Sequence, residues 1–168
     1  GSMDFTPGIF NFTNKVLPDT HPQTTLAKQL AEYVLLYSPW QMAADMIENY
    51  EHQPAFSFVE SVPTDWEKTV VVNAKIGNYI TIARKDKASD DWYVGSATDV
   101  DARDLSIDLS FLDKDREYMA EVYADGPGAD FRSNPYPLMY QRIKVTYASS
   151  LRLHLAPSGG AAVRIKAL

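Results

Sequence analysis

Cysteine is absent from the 168 residues. Its absence excludes disulfides, thiolate-held metals and a cysteine nucleophile. It leaves the compartment open, because an exported protein need not use disulfides. No apolar run approaches the roughly 20 residues of a membrane-spanning helix. The longest, Tyr33-Val34-Leu35-Leu36-Tyr37, is interrupted almost at once. Positive charge is also short: 16 Lys and Arg face 22 Asp and Glu, for a net charge of −6. A mildly acidic chain argues against nucleic acid and anionic membranes as partners. There is no G-x-S-x-G, P-loop or Rossmann glycine pattern. His21, His52 and His154 lie far apart and match no ligand spacing. No internal repeat or low-complexity tract is found. Gly1-Ser2-Met3 reads as the scar of a cleaved tag and is set aside.

What the chain does have is a helical opening followed by strands. Thr24 or Thr25 can cap a helix in which Leu26, Leu30, Tyr33, Val34 and Tyr37 form an amphipathic stripe, widened by Leu35 and Leu36. Ser38-Pro39 stops it, and the same pair predicts a second helix running to about Tyr50. A short helical turn follows over residues 55–59. From Glu67 the period falls from 3.6 to 2. Val70, Val72, Ala74 and Ile76 alternate with Val71, Asn73 and Lys75, and Gly77-Asn78 marks a hairpin. Leu105, Ile107, Leu109 and Phe111 alternate with Ser106, Asp108 and Ser110. Residues 125–138 are rich in proline and glycine and predict a loop. About eight strands with turn signals between them predict a mainly β fold, an antiparallel β-sandwich after a short helical segment. The expected division is 4–66 for the helical part and 67–168 for the sandwich.

Few constellations carry chemistry. Residues 99–104 are the densest acidic cluster, but an EF-hand needs Gly where Asp104 stands and Glu where Ser110 stands. A solvated turn is expected there, and another at Asp86, Asp90 and Asp91 with Lys85 and Lys87. Asp45 and Glu48 lie on one face of one helix and cannot flank a sugar, so structural roles are expected. Asp4 is the acidic residue nearest to the N-terminal side and is the one candidate for lining a substrate pocket. Trp40 and Trp66 are expected in the seam between helices and sandwich, with Trp92 in the core.

Taken together, Asp4-Phe5-Thr6-Pro7-Gly8, residues 25–30, Tyr37 to Asp45 and Glu48-Asn49-Tyr50 resemble the end of the catalytic (β/α)8 barrel of family 97 glycoside hydrolases. Residues 62–66, Ile76 to Arg84, Trp92 to Ser96 and Tyr123-Ala124-Asp125-Gly126 resemble the C-terminal β domain of the same enzymes. The resemblance implies bacterial, exo-acting enzymes that hydrolyse α-glucosides or α-galactosides. It also implies a C-terminal domain that packs against the barrel and supports oligomerisation. Catalytic carboxylates and calcium ligands of that family fall outside the matched motifs. No catalytic or metal residue is therefore expected here, while the parent enzyme is expected to use calcium. The implied partners are the rest of that parent and a second copy in a homodimer, and the implied location is periplasmic or secreted. A different class of function stays open beside it: an autonomous carbohydrate-binding β-sandwich, using exposed aromatic rings.

Overall fold

The computed structural model describes residues 4–13, 15–17 and 20–168. Three helices come first: α1 (Leu26–Leu35), α2 (Ile47–Tyr50) and α3 (Phe56–Ser61). Eight strands follow: β1 (Trp66–Lys75), β2 (Tyr79–Asp86), β3 (Trp92–Thr98), β4 (Arg103–Asp108), β5 (Tyr118–Asp125), β6 (Leu138–Val145), β7 (Ser150–Leu155) and β8 (Gly160–Ala167). They form an antiparallel six-stranded sheet in the order β1-β2-β3-β8-β5-β6, faced by a two-stranded sheet of β4 and β7.

The period-2 pattern puts alternate residues of the large sheet on different neighbours. On one face Trp92, Val94, Val122, Val163 and Ile165 meet Ile107, Leu153 and Leu155 from the small sheet. On the other face Tyr93, Tyr123 and Ala162 meet Leu30, Val34 and Phe58 from the helices. The central strands are therefore buried on both sides, and the fold has three layers: helices, large sheet and small sheet. The second cluster crosses position 66, joining helical residues to sheet residues.

Helix α1 starts where Thr25 accepts the Lys28 N–H through its hydroxyl oxygen. It lies unusually close on the sheet. A Cβ at Gly95 would stand 2.7 Å from the Ala31 carbonyl, and one at Gly160 would stand 2.8 Å from Lys28 Cα. Glycine at those two positions is what allows the approach. Of the expected stripe, Leu26, Leu30, Tyr33 and Val34 are buried, but Leu36 and Tyr37 lie past the helix end and are exposed.

The predicted second helix is mostly absent. Only α2 is helical, and residues 40–44 form no helix. Their backbone groups are taken by the chain's first residues: Phe5 N–H donates to the Trp40 carbonyl, Met42 N–H to Phe5 and Ala44 N–H to Pro7. Phe5 and Gln41 form a parallel bridge. Ser38 does not cap a helix; its hydroxyl donates to the Trp40 carbonyl at 2.6 Å and accepts the Trp40 N–H. Ile76 also departs from expectation, since it sits on the hairpin tip, fully exposed.

Candidate functional site

The most organised part of the molecule outside its core is the N-terminal face. Gln29, buried on α1, accepts the N–H groups of Gly8 and Ile9 at 2.9 and 3.0 Å through Oε1. Gly8 adopts φ +93°, a left-handed conformation that suits glycine. Asp45 Oδ2 accepts Phe10 and Asn11 N–H at 2.8 and 2.7 Å, while Oδ1 takes Met46 N–H and Asn49 Nδ2. Burial pushes the Asp45 carboxyl up, but the Asn49 amide and three backbone donors outweigh it and hold its pKa below the usual value. Tyr50 hydroxyl accepts Asp45 N–H and donates to the Gly8 carbonyl, both at 2.7 Å. The Tyr33 hydroxyl donates to Pro7 at 3.1 Å. Asp45 thus has a structural role, as expected, but it precedes α2 instead of sharing a helix with Glu48.

This clamp fixes a strip of large apolar side chains turned outward. Leu36, Tyr37, Trp40, Met42, Met46 and Ile47 are all exposed, with Trp40 at 66% and Ile47 at 72%. Trp40 is therefore not in the seam. The backbone of 40–44 is paired with 5–7, which turns the indole away. Trp66 does pack on Tyr93, and Trp92 is buried against Phe111.

A second polar group pins α1 to the far ends of the strands. Asp125 is buried and accepts Ala156 and Gly160 N–H at 2.8 and 2.9 Å. Burial raises its pKa despite these donors. Lys28 Nζ donates to the Thr98 carbonyl and the Ser158 hydroxyl, and burial lowers its pKa. Burial also raises Glu32 to about 7, opposed by Lys28. Nothing in the alternation of the sequence marked Asp125, although it lies within the Tyr-Ala-Asp-Gly motif.

Asp4 is exposed beside the Phe5–Gln41 bridge. Asp99 is bound by Arg103, Asn78 Nδ2 and the Asp101 N–H, and Arg103 holds its carboxyl far below the usual range. A carboxylate already neutralised by a guanidinium does not suit calcium. Among the described residues no group of three or more His, Asp or Glu is arranged to hold a metal ion. His154 pairs with Asp104 at 2.8 Å on the surface. The 540 Å³ cavity that they line with Leu105, Met139, Arg152 and Leu153 has no Trp, Tyr or Phe among its lining residues on which a sugar could stack. Among the described residues no helix is long and apolar enough to cross a membrane.

Residues 65–166 match the family described as Glycosyl-hydrolase 97 C-terminal, oligomerisation. The whole chain superposes on part of a glycoside hydrolase family 97 enzyme from Pseudoalteromonas sp. strain K8, solved in complex with acarbose, with a TM-score of 0.93 and 46% identity; it covers 27% of that chain. A retaining alpha-galactosidase from Bacteroides thetaiotaomicron is 36% identical over 99% of the chain. A beta-arabinopyranosidase structure matches 98% of the chain with a TM-score of 0.78 and 27% identity. The chain spans about a quarter of the length of these relatives, 25–27%.

Proposed function

The chain belongs to the C-terminal domain family of glycoside hydrolase family 97, and from that premise we propose that it is the non-catalytic C-terminal part of an exo-acting α-glycosidase. It packs against the catalytic barrel and helps the parent associate. The observation that carries the barrel-packing part of this reading is the outward strip Leu36, Tyr37, Trp40, Met42, Met46 and Ile47 on a rigid frame, while the association part rests on the family match. A cluster of exposed large apolar side chains marks an interaction surface. The frame beneath it includes residues 5–8, 40–45 and 48–50, which belong to the motifs that resemble the end of the barrel. The helical segment is then the barrel's last portion, and the strip lies against the rest of it.

The parent's activity, calcium and extracytoplasmic location come with the same proposal. Calcium would be held outside these residues, because the acidic turns here are neutralised by Arg103, Arg116 and Lys85. Relatives named for galactosides and arabinopyranosides share this domain, which favours a role in assembly over a role in choosing the sugar.

The test is to assay the chain against aryl α-glucosides and α-galactosides, and to titrate it with maltooligosaccharides and galactosides while following tryptophan fluorescence. The expected results are no hydrolysis and no saturable signal. Saturable binding would favour the carbohydrate-binding module instead. Hydrolysis lost on Asp4→Asn substitution would overturn the non-catalytic assignment.

A further inference from the structure

The six-stranded sheet ends in two very different edges. At one, β1 carries register shifts between Trp66 and Lys68 and between Val71 and Asn73. Such irregularities twist an edge away from further pairing. At the other, β6 pairs with β5 through eight consecutive positions, Tyr118↔Val145 to Asp125↔Leu138, without a break. Its outer side pairs with no strand among the described residues. It also exposes Tyr140 at 48% and Ile143 at 37%. An even, apolar-bearing edge is a template for another strand.

We propose that β6 is the surface through which this chain pairs with a second copy of itself, edge to edge and antiparallel, joining two six-stranded sheets into one. The proposal rests on the self-association reading above and names its site. A second copy is the occupant because the family match carries an oligomerisation role. The edge is also self-complementary under a two-fold axis.

That axis, perpendicular to the sheet, requires residues on one face to meet residues on the same face, so the strands can be centred on a residue but not between two. Centring on Arg142 would place two guanidinium groups opposite each other, and centring on Ile143 would place Arg142 opposite Lys144. Like charges directly opposite destabilise a pair. Centring on Gln141 avoids both and overlaps nearly the whole strand. Tyr140 then faces Arg142 of the second copy, a cation–π arrangement. Met139 faces Ile143 of the second copy.

A further feature fits this register. Met139 and Val145 pack toward the sandwich interior, so Gln141 and Ile143 share that side. Together they line a 320 Å³ groove over Leu151 and Leu153 of β7. The small sheet has only two strands and stops short of β6. The second copy's Met139 and Ile143 would close the open side of this groove.

Light scattering over a concentration series tests the pairing in the intact chain. The wild type is expected to be a dimer. Tyr140→Asp with Ile143→Asp should weaken it at least tenfold, whereas Trp40→Asp with Ile47→Asp, on the other apolar surface, should leave it unchanged. The chain has no cysteine, so Gln141→Cys introduces a single thiol. At a two-fold centre the two Cα atoms would lie about 4.5–5.5 Å apart, within disulfide reach. Mild oxidation should therefore give a covalent dimer, and Met42→Cys should not. Circular dichroism confirms that each variant is folded. A dimer that survives the β6 substitutions would overturn the edge assignment while leaving self-association standing. A wild type that stays monomeric throughout would overturn both. Disruption by the β6 substitutions without the Gln141 cross-link would overturn the register.

Discussion

Arg84 Nε, on β2, donates to the Val34 carbonyl in the last turn of α1 at 2.7 Å. The sheet thereby reaches through its own face to hold the helix end. The same guanidinium donates to Thr69 Oγ1 on β1 at 3.0 Å. One buried side chain thus spans helix, inner strand and edge strand.

Replacing Arg84 with Met should destabilise the fold by about 2–3 kcal/mol. The substitution removes a charged hydrogen bond and leaves the Val34 carbonyl unpaired at the end of a helix. Urea denaturation followed by circular dichroism measures the loss. A change within about 0.5 kcal/mol would mean that water reaches that carbonyl and replaces the guanidinium.

Gly95→Ala should cost about 1–3 kcal/mol, because overpacking a tight contact forces backbone shifts. The new methyl would meet the Ala31 carbonyl, Leu35 and Val34 at 2.7–3.0 Å. Gly160→Ala should act in the same way against Lys28 Cα and the Ser96 carbonyl. The thermal midpoints of both variants decide the matter, and an unchanged midpoint would mean that α1 can lift from the sheet without loss.

Phe58→Ala should cost about 3–5 kcal/mol. Phe58 is fully buried and packs edge-on against Tyr93 and Tyr123, the two rings that the large sheet turns toward the helices. For the same reason a chain shortened to begin near Asp65 should expose both tyrosines. It should melt below the full chain, with increased binding of a hydrophobic dye.

Stability should fall as pH rises through neutrality. Glu32 has its pKa raised by burial from 4.5 to about 7 in the folded chain. The folded state therefore holds a proton that the unfolded state has released between those values. The stabilisation is complete below about pH 4.5 and is lost as pH rises through 7. The full cost above pH 7 should be about 3 kcal/mol, a net figure in which the opposing charge of Lys28 is already included. Asp125, also raised by burial, slopes in the same direction but begins lower, from 3.8. Comparing wild type with Glu32→Gln cancels the Asp125 contribution. The variant should be flatter between pH 5 and 8 and more stable at pH 8. Parallel profiles would place Glu32 in solvent.

Much of the β architecture was legible because alternation reports directly on burial. Ile107 and Leu109 are buried where Asp108 and Ser110 are exposed, as their spacing required. A threonine cap at 24 or 25 and the Gly77-Asn78 hairpin were also legible, since capping and turn chemistry are local, and the structure selects Thr25. The errors came where distant partners decide. Residues 39–46 have no helix breaker after Pro39, yet their backbone groups are claimed by Phe5 and Pro7. Trp40 was expected inside because large aromatics usually are, and the same ladder turns it out. Strand order depends on long-range pairing, so nothing in the periodicity distinguished the irregular β1 edge from the regular β6 edge. Asp125 and Lys28 show no pattern because each acts alone, at the point where a helix meets strand ends.

The ladder between residues 5–7 and 40–44 makes the entry to this domain a clamped joint. Gln29 and Asp45 grip the incoming chain over the next few residues, and Tyr33 and Tyr50 brace the same stretch. A twist applied at Phe5 passes through α1 to Arg84 and the large sheet without a swivel in between. Any body joined ahead of this segment would turn with the sandwich as one lever, and a pairing made at β6 would fix its orientation as well.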